Sequence, residues 1–556
     1  METFDYVIVG AGSAGCVLAD RLTESGADRV LVLEYGGSDR SVWIQMPTAL
    51  SIPMNMARYD WRYYTEPEAH LNGRRLHTPR GKVLGGSSSI NGLVYVRGNA
   101  LDFERWEAEG AAGWGYHDVL PYFRRAEARA EGGDDYRGAH GPLATRHGLL
   151  TNPLHAAWLE AGGQAGYPHT ADMNGFQQEG FGKMDMTVGA GRRCSAANAY
   201  LRPALHRPNL SVRTRALATA VVFEGLRAVG VRYQRGGAAR GAVADEVRAR
   251  REVILCAGSI NSPQLLKLSG IGPAAELAPL GLPLVHELRG VGENLQDHLE
   301  FYFQVASRQP ITLYSQISLL RRALIGMRWL LRHDGLGASN HFETGGFIRS
   351  RPGVRYPDIQ FHFLPLAVNY DGSALAREHG FQAHVGPMRS RSAGCVRLRS
   401  PDARDPPRIS FNYMSQPEDW REMRACVRLT REIFAQRAFD PYRGREIQPG
   451  AQVASDEAID AFIREKAESA FHPSCSCRMG SATDRAAVVD PQARVIGVEA
   501  LRVVDSSIMP SITTGNLNAP TIMLAEKCAD HIRGIPLLPR APVPYYTAPG
   551  WESAQR

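Results

Sequence analysis

Residues 4–15, FDYVIVGAGSAG, decide the fold of this 556-residue chain. The stretch begins with a short run of apolar and β-branched residues that ends at Val9, which predicts a buried strand. A glycine-rich turn and a helical pattern follow, and a second predicted strand, residues 30–33, ends in Glu34. Strand, glycine turn, helix, strand and terminal acid together form the β-α-β fingerprint of a dinucleotide-binding domain.

The residues of this turn have separate physical roles. Gly10 permits the tight turn, and Gly12 lets the backbone approach a pyrophosphate at the positive N-terminus of the helix. Gly15 lets the helix pack closely on the strand, and Glu34 can accept hydrogen bonds from a ribose diol. The fingerprint does not separate NAD from FAD. The predicted cofactor contacts in this unit are Gly10, Gly12, Ser13, Ala14, Gly15 and Glu34.

Two distant segments favour FAD. Residues 78–98 are too rich in small side chains to be a helix interior, and they offer a ligand many backbone N–H groups. In residues 501–532 a buried strand ends in Asp505 and a helix starts near Pro520, which suits the polyol and phosphate region of a cofactor. Taken singly these are a loop and a strand–helix turn, but together they indicate a discontinuous domain closed over one long cofactor. Their predicted contacts are Gly85, Gly86, Ser88, Asn91, Gly92, Val94 and Asp505.

The rest of the chain predicts a second domain. Residues 251–272 predict a strand, a turn and a helix with Pro263 in its first turn. From about residue 300 to 460, aromatic residues and broken alternating runs predict a mainly antiparallel sheet. The predicted fold is therefore α/β, with a discontinuous Rossmann-like FAD-binding domain and an α+β substrate-binding domain built on that sheet. The first comprises residues 1–159, 191–305 and 461–536, the second residues 160–190 and 306–460, and residues 537–556 form a loose C-terminal tail.

The composition of the chain argues against a nucleic-acid-binding, metal-binding or membrane-spanning protein. The formal net charge is +7, but the arginines are scattered along the chain, which argues against a nucleic-acid partner. The eight cysteines show no C-x-x-C pair, the N-terminus lacks a signal-peptide pattern, and no apolar run reaches about 18 residues. We therefore expect free thiols, no metal site, no spanning helix and a cytoplasmic protein, with a weak attraction to anionic membrane left open.

Six motifs occur in order along the chain, and their combination resembles the glucose–methanol–choline oxidoreductase family from about residue 4 to 534. The resemblance implies FAD-dependent removal of a hydride from an alcohol carbon. The six motifs are VIVGAGSAG (7–15), RGKVLGGSSSINGLVYVRGN (80–99), AGSINSPQLLKLSGIG (257–272), GENLQDHLE (292–300), FHPSCSCRMG (471–480) and VVDSSIMPSITTGNLNAPTIM (503–523).

Within that family the chain is most similar to members that oxidise choline, through GASNHFETGGFIRS, IQFHFLPLAVNY, FNYMSQPEDW and YRGREIQPG. The resemblance therefore implies oxidation of choline to betaine aldehyde, with a role in osmoprotection or choline use. Further oxidation to glycine betaine, and delivery of electrons to a quinone or another acceptor, stay open. The rival functions are a dehydrogenase of the same fold that acts on an uncharged primary alcohol, and an FAD-containing lyase without redox turnover.

Residues 468–480, ESAFHPSCSCRMG, contain the candidate base. Alcohol oxidation needs a base within hydrogen-bond reach of the hydroxyl, and imidazole is largely neutral near pH 7. The family's motif places its base directly before a proline, which implies His472, and it implies Asn516 as the second catalytic residue. Asn516 cannot take a proton, so it would hydrogen-bond the oxygen as charge develops. The alternatives are a zinc site, a regulatory pair of Cys475 and Cys477, or a histidine that only caps a loop.

Choline carries a quaternary ammonium without hydrogen-bond donors, so a carboxylate or aromatic faces must recognise it. The resemblance implies that Glu300 is the ammonium partner and that His298 and His362 are further active-site histidines. Trp61 and Phe471 are candidate walls of the ammonium site. The alternatives are a solvated surface acid for Glu300, a core histidine for His362, and core packing for the two aromatic rings.

Two further features bear on the cofactor and the membrane. Some choline-oxidising relatives attach FAD covalently to a histidine of the glycine-rich motif, whereas the matching position here is Ile90, so we expect non-covalent FAD. Residues 317–332, ISLLRRALIGMRWLLR, show apolar residues at helical spacing, with Arg321, Arg328 and Arg332 on another face. Such a helix can lie peripherally on the inner face of the cell membrane, or it can pack on its own domain.

Overall fold

The computed structural model describes residues 1–236, 244–369 and 378–556. Its first helix directly follows the glycine turn, as the fingerprint predicts. The helices are α1 (Ser13–Thr23), α2 (Val42–Gln45), α3 (Ala100–Ala108), α4 (Tyr116–Ala126), α5 (Pro153–Gln164), α6 (Arg202–Ala204), α7 (Gly258–Leu268), α8 (Ala274–Leu277), α9 (Leu319–Arg332), α10 (Pro417–Phe434), α11 (Asp456–Lys466) and α12 (Asn518–Arg533).

The strands are short except where they build the two main sheets. In chain order they are β1 (Glu2–Val9), β2 (Val30–Glu34), β3 (Tyr63–Tyr64), β4 (His77–Thr78), β5 (Val94–Tyr95), β6 (Glu127–Arg129), β7 (Leu143–His147), β8 (Gly180–Lys183), β9 (Asp185–Met186), β10 (Val188–Gly189), β11 (Arg192–Arg193), β12 (Leu210–Thr214), β13 (Ala216–Glu224), β14 (Arg227–Arg235), β15 (Ala244–Leu255), β16 (Ile271–Gly272), β17 (His286–Glu287), β18 (Leu299–Ser307), β19 (Thr344–Ile348), β20 (Ile359–Leu364), β21 (Gly380–Pro387), β22 (Cys395–Arg397), β23 (Arg408–Ser410), β24 (Arg443–Gln448), β25 (Glu468–Ser469) and β26 (Leu501–Val503).

The first main sheet is the predicted Rossmann-like sheet. Its strands follow the order β12-β2-β1-β15-β14-β13, and β26 pairs with β15. The strands β12, β2, β1, β15 and β26 are parallel to their neighbours, whereas β13 and β14 add an antiparallel edge. The chain contributes β26 long after β15, which confirms that the domain is discontinuous. The fold-class prediction is confirmed in this half of the molecule.

The glycines of the first turn bring backbone into contact with backbone. A Cβ on Gly15 would lie 1.9 Å from the carbonyl oxygen of Gly10, and one on Gly10 would lie 2.5 Å from the carbonyl oxygen of Cys256. Gly10 also has a φ of +100°, a conformation that side chains with a Cβ rarely adopt. Helix α1 can therefore approach β1 and β15 only because these positions carry no side chain.

The second main sheet is antiparallel throughout, as the alternating runs predict. Its strands follow the order β24-β18-β21-β20-β19-β8, and β25 pairs with β18. Every residue of β19, β20 and β21 is buried. Phenylalanine rings from these strands pack with Trp158 of α5 and Phe434 of α10. The mainly antiparallel substrate sheet of the prediction is confirmed.

The domain limits drawn from the sequence stay a prediction. Helix α11 crosses the limit at residue 460, and two further elements cross the limits at residues 159 and 305. Strand β18 spans the limit at residue 305 and belongs wholly to the second sheet. Helix α5 spans the limit at residue 159, and its Leu154, Trp158 and Ala161 join the core of the second sheet. Both elements are continuous through the limits because packing, rather than the motif spacing used to draw the limits, decides where each one belongs.

Two local expectations are corrected. Pro263 lies inside α7, at its sixth residue rather than in its first turn, because the helix already begins at Gly258. The C-terminal segment has no helix or strand, but it is docked rather than loose. The backbone N–H of Leu538 donates to the Tyr122 hydroxyl, and Arg556 forms an ion pair with Glu432 at 2.9 Å. No helix of the described residues is both long enough and apolar enough to cross a membrane.

Substitution of Gly15 tests the backbone contact at α1. We expect Gly15→Ala to lower the free energy of unfolding by about 1–3 kcal/mol and to weaken flavin retention, because the added methyl group overlaps the Gly10 carbonyl. Gly163→Ala in α5 is the matched control, since nothing lies within 4 Å of a Cβ there. It should raise stability by about 0.5–1 kcal/mol through helix propensity. Equal losses in denaturant unfolding of both variants would contradict the close-contact reading.

Candidate active site

One continuous cavity runs from the N-terminus of α1 to the face of the second sheet. It lies at the carboxyl ends of β1 and β15, where Rossmann-like sheets bind their ligands. All the residues predicted from the sequence to form the site line this cavity except Gly15, Gly85 and His298. The fold therefore brings together segments that lie up to about five hundred residues apart in the chain, such as Gly10 and Asn516.

The α1 end of the cavity fits a phosphate-containing ligand. Gly12, Ser13 and Ala14 line it, and no side chain caps the helix at Gly12. The first N–H groups of a helix have no partner within the helix and carry its partial positive charge. A Cβ on Gly86 would lie 2.7 Å from the Gly12 Cα, so backbone from a second segment closes on the same turn. This cradle suits the pyrophosphate of a dinucleotide.

Glu34 lies at the end of β2 and borders the same part of the cavity. Its Oε2 accepts a hydrogen bond from the backbone N–H of Ala11 at 2.9 Å, and its Oε1 accepts one from Gly36 at 2.7 Å. Burial raises the pKa of this carboxyl to about 7, against the opposing effect of the two N–H groups. Glu34 thus ties its strand to the glycine turn, and contact with a ribose diol stays a prediction.

Gly85 and Asp505 support the walls of this end. Gly85 has a φ of +87°, and its N–H donates to the Ala11 carbonyl at 2.7 Å, so it shapes the loop from behind the cavity. Asp505 lines the cavity, but its Oδ2 already accepts hydrogen bonds from the Gly258 N–H and the Ser262 hydroxyl. The carboxylate therefore holds the start of α7, and its contact with a cofactor also stays a prediction.

Hydrogen bonds assign the tautomer of His472. The Met388 carbonyl lies 3.0 Å from Nε2 of His298, so that nitrogen must donate. Nδ1 of neutral His298 is then an acceptor, and Nδ1 of His472, 3.0 Å away, donates to it. Nε2 of His472 is left with a lone pair, and the Asn516 amide donates to it at 3.1 Å. The unprotonated nitrogen of the candidate base thus lies beside Asn516.

His298 is the one predicted substrate contact that lies off the cavity wall. The sequence places it among the substrate-binding residues, but the structure buries it fully behind His472. Both of its ring nitrogens are engaged, one by His472 and one by the Met388 carbonyl. Its place in the network is therefore behind His472, whose ring it holds by a hydrogen bond.

Burial keeps these imidazoles neutral. It lowers the pKa of His298 to about 3 and that of His362 to about 4, and it holds the pKa of His472 well below its usual range. The neighbouring histidines act on His472 in the same direction, since each disfavours a second positive charge. A neutral His472 can accept a proton, which is the state that a general base needs.

Asp297 fixes the loop that carries the base. Its Oδ1 accepts the backbone N–H of His472 at 2.6 Å, and its Oδ2 accepts the hydroxyls of Ser469 and Tyr413. Phe471 adopts a φ of +65°, which is unfavourable for a residue with a bulky side chain. The hydrogen bonds of Asp297 to residues on both sides of Phe471 hold the loop in this conformation.

A second chain of hydrogen bonds ends at Glu300. The backbone N–H of Val368 donates to the Gln382 side-chain oxygen at 2.8 Å, which leaves the Gln382 amide N–H to donate to Nε2 of His384. His384 must then carry its proton on Nδ1, and it donates to Oε1 of Glu300 at 3.0 Å. In this arrangement His384 is neutral. Among the described residues no lysine or arginine forms an ion pair with Glu300, so its negative charge stays available to a cation.

Aromatic rings line the same cavity as Glu300. Trp61 is held against Tyr35, with ring centroids 4.9 Å apart, and Phe471 lies next to the base in the sequence. The rings of Tyr302 and Phe342 contact the ring of His384, with centroids 4.4 and 5.3 Å apart. Trp61 and Phe471 thus reach the cavity, and their role as walls of an ammonium site stays a prediction. Tyr302 and Phe342 add two further aromatic faces through their contacts with His384.

Sequence reasoning missed Tyr302, Phe342 and His384 as site residues. A signal was present in the two Q-x-H triplets at 360–362 and 382–384, since polar residues repeating at intervals of two in otherwise apolar strands share one face. The register of the sheet pairs His384 with His362 on one side and with Tyr302 on the other. The pairing of β18, β20 and β21, which no local pattern specifies, is what assembles this polar face.

The cysteines after the base are not a reactive pair. Cys475 and Cys477 are fully buried, and burial raises the pKa of the Cys475 thiol to about 12 and raises that of Cys477 as well. Thiolates are the reactive form, so these side chains are held in the inert state. Within the described ranges, the cluster with metal-ligand spacing is Glu131, His147 and Asp185, which contains neither cysteine.

Known proteins of one family match this chain over most of its length. Two family models described as GMC oxidoreductase match residues 4–300 and 390–525. The chain is 58% identical over 552 residues to the oxygen-dependent choline dehydrogenase of Brucella suis biovar 1, covering 99% of this chain and 100% of that protein. It is 56% identical over 556 residues to the protein of the same name from Photobacterium profundum, covering 100% and 97%.

Solved structures agree with the fold. Pyridoxine 4-oxidase from Mesorbium loti superposes with a TM-score of 0.85 at 31% identity, over 94% of this chain and 98% of that one. Formate oxidase from Aspergillus oryzae, in a study of its FAD modification, superposes with a TM-score of 0.89 at 26% identity, over 96% and 98%. The Rossmann-like domain with a sheet-based second domain is therefore a shared architecture.

The neutral histidines predict a pH dependence of stability. The pKa of His362 is about 4 in the folded protein and about 6.5 when unfolded, so below about pH 6.5 the unfolded chain binds the extra proton and stability falls. As the pH falls from about 7.5 to 5.5, this effect of His362 should lower the free energy of unfolding by roughly 1 kcal/mol. His362→Gln should therefore lose less stability than the parent protein over this range in thermal unfolding, whereas His70→Gln at an exposed site should not differ. Parallel pH profiles for all three proteins would contradict the neutral state of His362.

Proposed function

This chain belongs to the GMC oxidoreductase family, and from that premise we propose that it oxidises choline to betaine aldehyde with bound FAD. The observation that carries the proposal is that Glu300 and His472 line one cavity, the first with an available negative charge and the second with an unprotonated nitrogen. The two relatives described above carry the name choline dehydrogenase over their full length, which supports the same substrate.

His472 and Asn516 have complementary tasks in the proposed reaction. Nε2 of His472 accepts the proton of the substrate hydroxyl, and its position is held by the His298 hydrogen bond and by Asp297. The Asn516 amide lies 3.1 Å from that nitrogen and donates to the substrate oxygen as negative charge develops on it. FAD, when bound, takes the hydride from the alcohol carbon.

Glu300 and the aromatic rings recognise the substrate cation in this proposal. A quaternary ammonium cannot donate a hydrogen bond, so it gains from a nearby charge and from aromatic faces. Glu300, Tyr302, Phe342 and Trp61 supply both kinds of contact on the cavity wall. The neutral His384 orients the carboxylate without cancelling its charge. An uncharged alcohol would gain nothing from this half-buried acid, which is why choline is favoured over the rival substrate.

The glycine cradle at α1 and residues 86–94 would hold the cofactor without a covalent bond. Ile90 lines the cavity at the position where some relatives carry the linking histidine, and its side chain has no nucleophile. Asn91 is set by the buried Arg193, which donates to both its backbone and its side-chain oxygen at 2.8 Å. We therefore expect the flavin to dissociate when the protein is denatured.

The acceptor of the electrons is a separate part of the proposal. The relatives' name refers to oxygen, which can act directly or as the last acceptor of a quinone-linked chain. A quinone or another acceptor is proposed here, with a cytoplasmic protein in peripheral contact with the inner face of the cell membrane. Whether the aldehyde hydrate is a second substrate, giving glycine betaine, depends on whether its hydroxyl can take the same place beside His472.

Anaerobic mixing with choline tests the reaction class and the base together. We expect choline to bleach the flavin band of the holoenzyme, and His472→Ala to slow bleaching at least about 100-fold while flavin stays bound, because the variant lacks the nitrogen that accepts the hydroxyl proton. His70→Ala, at an exposed histidine, is the control and should bleach at the parent rate. Undiminished bleaching by His472→Ala would remove the base from the mechanism, and a parent enzyme that choline does not bleach would favour the lyase.

Substitution of Glu300 tests the substrate. Glu300→Gln keeps an oxygen that can accept from His384 but removes the charge, so choline should bind at least about tenfold more weakly, which corresponds to about 1.4 kcal/mol. The neutral isostere 3,3-dimethylbutanol should be little affected. Glu293→Gln is the matched control, since that acid pairs with Arg397 outside the cavity. Equal losses for choline and for the isostere in steady-state kinetics would contradict the ammonium role.

A further inference from the structure

Helix α9 presents an apolar face to solvent. Six large apolar side chains on this fourteen-residue helix are exposed, from 52% for Leu324 to 85% for Leu319. Trp329 is the only residue of the helix that is buried. The alternative that α9 packs its apolar face on its own domain is therefore contradicted. The six exposed residues are Leu319, Leu320, Leu324, Met327, Leu330 and Leu331.

The apolar residues form one continuous stripe that faces away from the protein. At about 100° per residue, the six residues and Ala323 fall within an arc of about 140°. The opposite side of the helix carries Trp329, which is buried, and Ile325, which is half-buried. The stripe therefore points outward because the helix is seated on the domain through its other side.

The seat of the helix is specific, so this exposure is a fixed feature of the fold. The Trp329 indole N–H donates to the Gly191 carbonyl at 2.7 Å, and its ring packs with Met46 and Ala49. Ser318 caps the first turn, and His333 ends the helix in a left-handed conformation. The helix is thus anchored to the domain through Trp329 and capped at both ends.

The charges beside the stripe are all positive on the helix itself. Arg321, Arg328 and Arg332 lie along one edge of the stripe, and Arg322 lies along the other. The helix contains no acidic residue, and Arg328 pairs with Asp334 just beyond its end. A partner of this surface must be apolar where the stripe meets it and negatively charged beside it.

We propose that α9 inserts its apolar stripe into the interface of an anionic lipid bilayer. Basic amphipathic helices bind such interfaces by burying their apolar face at the level of the acyl chains while their arginines meet the anionic headgroups. A second copy of this chain is a poorer occupant, because two such faces would bring arginine edges together. The inference gives the proposed peripheral location a definite surface, and it does not depend on which alcohol the enzyme oxidises.

Helix α9 lies next to a segment that forms part of the wall of the active-site cavity. The segment under the helix includes Met46 and Ala49, and the next residue, Leu50, lines the cavity. A bilayer bound at α9 would therefore lie beside one wall of the active-site cavity.

The test is co-sedimentation of the full-length holoenzyme with vesicles of phosphatidylcholine alone and of phosphatidylcholine with phosphatidylglycerol. We expect binding to the anionic vesicles, weakened by salt because exposed charges are screened. The triple variant Leu320→Ser, Leu324→Ser and Met327→Ser should lower the partition coefficient at least tenfold. Arg321→Gln with Arg322→Gln and Arg332→Gln should lower it for anionic vesicles only.

A matched control separates the helix from general surface effects. Leu149, Leu226 and Leu284 are exposed to a similar degree elsewhere, and their triple change to serine should leave vesicle binding unaltered. All variants should keep choline-dependent bleaching in solution, so that failure of the proposed reaction and failure of membrane binding are distinguishable. Absence of binding to anionic vesicles would overturn the proposal. So would a concentration-dependent dimer in sedimentation velocity that the apolar variant abolishes, since the stripe would then be an interface between copies.

Discussion

The close approach of backbone to backbone at the α1 turn is the constraint on which the site depends. A Cβ on Gly15 would overlap the Gly10 carbonyl, one on Gly10 the Cys256 carbonyl, and one on Gly86 the Gly12 Cα. These contacts bring the N-terminus of α1, the end of β15 and the loop after residue 85 to one point. A side chain at any of them would separate the three segments and open the end of the cavity where a pyrophosphate can meet unpaired N–H groups.

At the other end of the cavity, uncharged hydrogen-bond networks decide what the reactive groups can do. The Met388 carbonyl fixes the proton of His298 on Nε2, which fixes the proton of His472 on Nδ1 and leaves its Nε2 unprotonated beside the Asn516 amide. The Val368 N–H sets the orientation of Gln382, which sets the proton on His384. In both hydrogen-bond networks, a backbone group that can only donate or only accept determines the tautomer of a histidine two hydrogen bonds away. Such networks keep His472 neutral and leave the Glu300 charge without a cationic partner among the described residues.

The local parts of the fold were predictable because their signals lie within a few residues of one another. The glycine turn, α1 and the acid at the end of β2 follow from a thirty-residue unit, and the antiparallel sheet follows from its alternating runs. The start of α7 was misplaced relative to Pro263 because helix boundaries depend on capping contacts, here the hydrogen bond from Gly258 to Asp505, which is distant in sequence. The tail was expected to be loose because its docking partners, such as Tyr122 and Glu432, leave no trace in its own composition.

Contiguous motifs were enough to predict the dinucleotide-binding unit, the family resemblance and the candidates His472, Asn516 and Glu300. Three-dimensional packing was needed to show that His298 lies behind His472, that His384 and Tyr302 lie beside Glu300, and that α9 turns its apolar face outward. These outcomes depend on strand register and on which side of a helix meets the domain. A sequence pattern specifies that a helix or strand has two different faces, but the packing of distant segments determines what each face contacts.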